Sequence, residues 1–149
     1  MASAKSGADY AGDLDATEAW SLLSSNPKAQ LVDVRTRAEW SFVGVTDLSE
    51  IGREPHLIEW QSFPAMSVNE NFSADAAQAL SAAGADTQTP ILFLCRSGAR
   101  SRAAAIAMTN AGFTQAFNIA GGFDGDLNGK KHRGEYNGWK AQGLPWRQS

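Results

Sequence analysis

Ile91-Leu92-Phe93-Leu94-Cys95-Arg96-Ser97-Gly98-Ala99-Arg100-Ser101 is the stretch whose reading decides the fold. Pro90 breaks the chain before it, and the four apolar residues that follow read as a strand buried on both faces of a parallel sheet. From about Ala99 to Ala111 the composition turns helical: Ala103, Ala104, Ala105, Ile106, Ala107 and Met108 are mostly strong helix formers, and Gly112 is placed to stop the helix. Cys95, the chain's one cysteine, therefore falls between a strand end and a helix start.

That position gives the thiol a chemistry. The N–H groups of the loop must curl inward, Gly98 has the conformational freedom for it, and amides gathered at a helix N-terminus form an anion site. Arg96 and Arg100 add two positive charges, and the same field favours thiolate over thiol. A lone cysteine is commonly just a small buried hydrophobe. No apolar core, however, needs a cysteine at a strand end beside two arginines and a glycine, and the combination reads as a nucleophile next to a bound anion.

Outward from this loop the chain alternates strand-like and helix-like segments. Residues 1–13 are small and polar and read as a flexible tail, with a single domain over 14–149. Asp15 or Thr17 caps a helix that carries Ala19, Trp20, Leu22 and Leu23 to a stop at Asn26-Pro27. Leu31 to Val34 is the first core strand, and a helical turn over Ala38 to Ser41 follows. Phe42 to Pro64 is rich in Gly and Pro and shows no clear pattern beyond a short second strand at Leu57-Ile58. An alanine-rich amphipathic helix over Asn69 to Ala83 ends at Gly84, and Ala116 to Ile119 is a fourth strand. This alternation implies a parallel sheet covered on both faces. Ligands of such sheets gather beyond the carboxyl ends of the strands, where Asp33, Arg35, Cys95 and Gly121 fall.

Composition narrows the partners. With 149 residues, 43% of them hydrophobic, the chain can bury the core of one α/β domain. A net charge of −3 gives no basis for a nucleic-acid or membrane partner. One cysteine makes no internal disulfide, Met1 to Gly7 has no apolar signal region, and no run approaches the ~20 apolar residues of a membrane span. A cytoplasmic, reducing location is expected. His56 and His132 lie far apart and far from Cys95, so no metal is expected. Gly121-Gly122 lacks the spacing of a dinucleotide fingerprint; it reads as a tight turn beside the Cys95 loop, and no cofactor is expected. Trp40, Trp60 and Trp139 are candidates for a pocket mouth, otherwise core-edge residues.

These pieces together resemble the rhodanese family of sulfurtransferases. Cys95 to Arg100 matches that family's active-site loop, and Leu31-Val32-Asp33-Val34-Arg35 with Glu39-Trp40 looks like its strand and acidic turn. Asn118-Ile119-Ala120-Gly121-Gly122-Phe123 and Gly138-Trp139-Lys140-Ala141-Gln142-Gly143-Leu144-Pro145 are similar to two further family segments, in the expected order. The resemblance implies a rhodanese-like α/β fold, a central parallel sheet of about five strands with helices on both faces. It implies Cys95 as the catalytic residue, carrying a persulfide. Arg96, Ser97, Gly98, Ala99, Arg100 and Ser101 would bind substrate, with Asp33 and Arg35 in support. Arg100 is expected to contact the substrate anion or persulfide, and Asp33 to pair with a loop arginine or cap the loop; Arg96 is equally a solvated side chain. The implied partners are a small-molecule sulfur donor such as thiosulfate and a thiol or cyanide acceptor.

Loop length sets this pattern apart from cysteine-dependent phosphatases and arsenate reductases of similar fold, which place an arginine six residues after the cysteine. Here that residue is Ser101 and Arg100 is the fifth, a smaller loop suited to one added sulfur atom. The alternative reading, ahead of a phosphatase or arsenate reductase, is a sulfur-carrier module that delivers persulfide sulfur to an acceptor protein. Many family members carry a Gly-His-Ile sequence after the acidic turn, whereas this chain has Phe42-Val43-Gly44-Val45 and then the longer Thr46 to Glu59. With the Gly-rich Asp124 to Asn137 segment, that departure is expected to border the site and select donor and acceptor.

Overall fold

The structure, a computed structural model, describes residues 9–62, 65 and 67–148. Its centre is a five-stranded, wholly parallel sheet of β1 (Gly12–Leu14), β2 (Gln30–Asp33), β4 (His56–Leu57), β7 (Ile91–Leu94) and β8 (Ala116–Ile119), in the order β1-β8-β7-β2-β4. Two small antiparallel pairs lie outside it: β3 (Val45–Thr46) with β9 (Trp146–Arg147), and β5 (Gln61–Ser62) with β6 (Ser67–Val68). The helices are α1 (Ala16–Ser25), α2 (Arg37–Phe42), α3 (Phe72–Ala82) and α4 (Ala99–Asn110).

Strand β7 explains why the sheet is covered on both sides. All four of its residues are buried, and they alternate between two cores as the two-residue period of a strand demands. Ile91 and Phe93 join Phe72, Ala76 and Leu80 of α3 and Ala104, Ala105 and Met108 of α4. Leu92 and Leu94 join Ala16, Ala19 and Leu23 of α1, with Phe123 and Trp139. The sheet therefore has helices on both faces, as the sequence implied.

From β2 the chain steps outward to β4, then crosses back to β7 on the other side of β2 and continues to β8. The carboxyl ends of β2 and β7 are thus neighbours at the point where the order reverses, the usual place for a ligand crevice in an open parallel sheet. Arg35 follows one strand and Cys95 the other.

Several boundaries differ from the sequence reading. The fifth strand, β1, includes residues 12 and 13 of the stretch read as a tail; residues 1–8 lie outside the described part of the chain. Three residues at a sheet edge, with Asp13 exposed, carry no periodic signal, and the strand exists because its backbone pairs with Phe117, Asn118 and Ile119. The second strand falls at His56–Leu57, one residue early, since Ile58 N–H already bonds to Asp33 O beyond the ladder. The helix expected from Asn69 begins at Phe72, because Asn69 Oδ1 accepts from Asn71 N–H in a local turn that competes with helix. Asp15 caps α1 with Glu18 in a reciprocal capping box.

Candidate active site

Cys95 immediately follows β7 and is 1% exposed. Gly98, the N-cap of α4, has φ of +118°, a conformation that only glycine adopts without strain, and its N–H points back at Cys95 Sγ across 3.1 Å. Ser101 Oγ lies 3.2 Å from the same sulfur. The sulfur therefore sits inside the turn, at the N-terminus of a 12-residue helix whose dipole favours negative charge there.

The turn at Gly121-Gly122 holds this loop from outside. Phe123 N–H donates to Cys95 O at 2.8 Å, and the N–H groups of Asp124 and Gly125 both donate to Arg96 O. At Gly122 a Cβ would stand 2.4 Å from Cys95 O, so the close approach of the two backbones requires glycine. Trp139 N–H in turn donates to Gly122 O at 2.8 Å and connects the turn to the C-terminal segment.

The charged residues near the loop are paired with one another. Arg100, half-buried, makes a two-pronged pair with Glu39 of α2 at 2.7 and 3.0 Å. Burial opposes the Glu39 charge, but the hydrogen bonds from Arg100 and the Thr36 backbone outweigh it and hold the carboxyl at about 2. Burial likewise opposes the Arg100 charge, and the bond to Glu39 more than offsets it, with smaller contributions from Cys95 and Asp33. Asp33 does not pair with a loop arginine. It binds Arg35 through Nε and Nη2, the shortest contact 2.7 Å, and both side chains are fully buried. Arg35 Nη2 also donates to Gly44 O at 2.7 Å, and the guanidinium lies 4.3 Å from the Phe123 ring centroid. Asp33 and Arg35 thus tie the end of β2 to the 42–44 segment and to the turn behind Cys95.

Above the loop opens a cleft of ≈ 510 Å³ lined by Thr36, Ala38, Glu39, Val43, Gln61, Arg96, Arg100 and Asp124. Arg96 is exposed on its wall and Ser97 is half-buried; Ala99 is exposed at the first turn of α4. Of the two segments expected to border the site, the Gly-rich one contributes Asp124, whereas no residue of Thr46 to Glu59 lines the cleft; Val43 and Gln61, on either side of that stretch, do. Among the tryptophans, Trp139 is fully buried and Trp60 packs edge-on to Phe72 at 5.1 Å; neither they nor Trp40 line the cleft. His56 faces Gln30 at 3.1 Å, toward the amino end of β2 and away from Cys95. Among the described residues no cluster of His, Cys, Asp and Glu is placed to hold a metal ion, and no helix is long and apolar enough to cross a membrane.

Sequence reasoning missed two partners. Glu39 was read as part of an acidic turn and not as the mate of Arg100, 61 residues away. Asn118, buried beneath Ser101 at 2.6 Å, was read as a strand residue only, although a lone amide within an otherwise apolar strand is a signal that it has a polar partner.

The family model of the rhodanese-like domain matches residues 15–128. The chain belongs to the rhodanese family. This rhodanese domain is 39% identical over 130 residues to protein RC0915 of Rickettsia conorii, spanning 87% of this chain and 92% of that one, and 38% identical over 132 residues to protein RP600 of Rickettsia prowazekii. The crystal structure of Rv0390 from M. tuberculosis superposes with a TM-score of 0.81 at 48% identity, covering 94% of this chain and 99% of that chain. The polysulfide-sulfur transferase homodimer of Wolinella succinogenes shares the fold, with a TM-score of 0.58 at 22% identity, over 95% of this chain and 81% of that one. Membership of the rhodanese family supports sulfur transfer as the general class of chemistry.

Proposed function

We propose that the protein transfers sulfane sulfur from a small-molecule donor such as thiosulfate to a thiol or cyanide, by way of a persulfide on Cys95. The observation that carries this reading is the inward-turned loop, in which Gly98 N–H meets Cys95 Sγ at 3.1 Å beneath a cleft with Arg96 and Arg100 on its wall. In the first step the Cys95 thiolate attacks the outer sulfur of thiosulfate. A bond forms from Sγ to that sulfur, the donor's S–S bond breaks, and sulfite leaves with the electron pair. In the second step an acceptor thiolate or cyanide attacks the terminal sulfur and releases the Cys95 thiolate. Two half-reactions through a covalent intermediate imply ping-pong kinetics.

The residues around the sulfur have separate roles in this scheme. Gly98, Ala99 and Ser97 shape the loop; Arg96 attracts the anionic donor; Arg100 closes the cleft from its pair with Glu39. Charge-assisted hydrogen bonds of the kind the loop offers an anionic persulfide stabilise it by roughly 1.5–3 kcal/mol each. A Cys95 that is 1% exposed below a cleft favours turnover of free small molecules over a carrier module, which would present its sulfur on a flat apolar rim. A phosphatase reading is disfavoured by the loop, whose sixth residue after Cys95 is the buried Ser101. A free nucleophilic thiol fits a reducing compartment such as the cytoplasm.

Intact mass after incubation with thiosulfate tests the proposal. The wild type is expected to gain one sulfur, lost again on adding cyanide or a thiol, and Cys95→Ser to gain none. Equal sulfur uptake by Cys95→Ser overturns it.

A further inference from the structure

A run of polar side chains leads from Cys95 to the edge of the sheet, and neither step of sulfur transfer uses it. Ser101, fully buried in α4, lies 3.2 Å from Cys95 Sγ on one side and 2.6 Å from Asn118 Oδ1 on the other. Asn118, 4% exposed in β8, donates from Nδ2 to Asp13 Oδ1 at 3.0 Å. Asp13 is the register partner of Asn118 in β1, and the Tyr10 hydroxyl donates to the same carboxylate oxygen at 2.8 Å.

The Ser101 hydroxyl has one proton and two acceptors within reach. A carboxylate only accepts, so Asp13 obliges the Asn118 amide to turn its NH₂ outward and its oxygen toward Ser101. An amide oxygen does not donate, and two oxygens 2.6 Å apart repel unless a proton lies between them. The Ser101 proton therefore belongs to Asn118. Ser101 is left presenting lone pairs to Cys95, and a lone pair in that place favours S–H over S⁻. It opposes Gly98 N–H and the helix N-terminus, which favour the thiolate.

We propose that Asp13 is a positioning residue that, through Asn118 and Ser101, biases the resting Cys95 toward the thiol and so sets the pH at which the nucleophile is released. The inference rests on the reading of Cys95 as the nucleophile. Other charges face the site from neighbouring elements: Arg100 with Glu39 of α2, Asp33 with Arg35 after β2, and Arg96 and Asp124 on the cleft wall. Beside Asp13 itself stand Tyr10 and, 5.8 Å from the Tyr10 ring, Arg102 of α4. The Asp13 chain differs from these charges in reaching the sulfur through hydrogen bonds of fixed direction.

The pH dependence of Cys95 alkylation by iodoacetamide, followed by intact mass on the full chain, tests this. In Asp13→Asn the residue offers either an oxygen or an NH₂ to Asn118, which frees Ser101 to donate to sulfur. The midpoint is expected to fall by about one pH unit, a roughly tenfold faster alkylation below both midpoints. Ser101→Ala, which removes the acceptor, is expected to lower the midpoint as well. An unchanged midpoint in Asp13→Asn overturns the proposal, and so does a raised midpoint in Ser101→Ala, which would mean that Ser101 donates to the thiolate. Asp13 is exposed and the replacement isosteric, so Asp13→Asn decides the matter even where Ser101→Ala does not fold. Alkylation needs no sulfur donor: a wild type that alkylates at Cys95 yet takes up no sulfur overturns the sulfurtransferase reading alone.

Discussion

Arg100 and Glu39 form a two-pronged ion pair, 2.7 and 3.0 Å, across the wall of the cleft above Cys95. The arginine of the Cys95 loop is thereby held by α2, and its positive charge reaches the cleft partly neutralised.

Removal of that arginine leaves the Glu39 carboxylate unpaired beside the path of an anionic donor. Arg100→Ala is expected to raise KM for thiosulfate about tenfold, the equivalent of ~1.4 kcal/mol, and Arg100→Ala/Glu39→Gln to regain part of the loss. Steady-state kinetics with varied donor, at two salt concentrations, check both. Equal KM values for Arg100→Ala and the double variant would show that the carboxylate does not act on the donor.

The same pair predicts an acid limit. Glu39 titrates at about 2 in the folded protein against an ordinary 4.5, so its stabilisation is fully present above 4.5 and is lost as pH falls through 2. Because the group is only half-buried, solvent screening reduces the effect to about 1–2 kcal/mol. Urea unfolding at a series of pH values is expected to show that loss in the wild type and a smaller one in Glu39→Gln.

Gly122 supports the loop by having no side chain. Its φ is +60° and an added Cβ would meet Cys95 O at 2.4 Å, so Gly122→Ala combines backbone strain with a clash against main chain. The expected loss is about 3 kcal/mol, or roughly 10 °C in Tm, with slower sulfur loading in the protein that remains folded. Thermal unfolding followed by far-UV circular dichroism measures the first, intact mass the second.

Asp33 separates support from chemistry. With Arg35 fully buried, Asp33→Ala leaves an uncompensated charge inside the protein and is expected to destabilise it by about 3–5 kcal/mol. At a temperature where the variant is folded, Cys95 should still take up sulfur. Denaturant unfolding and intact mass, run side by side, distinguish this from a direct role in transfer, in which uptake would vanish without loss of stability.

The legible parts of the site were the locally encoded ones. Ile91 to Leu94 announced a doubly buried strand by its unbroken apolar character, and Gly98 and Gly121-Gly122 announced turns by residue type. Asp33 was correctly placed at a strand end, but its mate was not, because Arg35 and the loop arginines carry the same charge and only the direction of each side chain tells them apart. The 42–64 segment gave no clear pattern because its strands are two residues each, too short for a period to appear.

From the sequence by itself came the candidate nucleophile, its strand-loop-helix setting, the family resemblance and the parallel sheet. These rest on signals between residues a few positions apart, which hydrophobic period and glycine or proline placement record directly. The tertiary structure alone decided that Arg100 answers to Glu39, that Asp33 holds Arg35, and that Asp13 of the supposed tail becomes an edge strand linked through Asn118 and Ser101 to Cys95. Those contacts join residues with no shared local pattern: backbone pairing and packing bring them together, and a polar side chain's partner is then set by which acceptor or donor lies within about 3 Å.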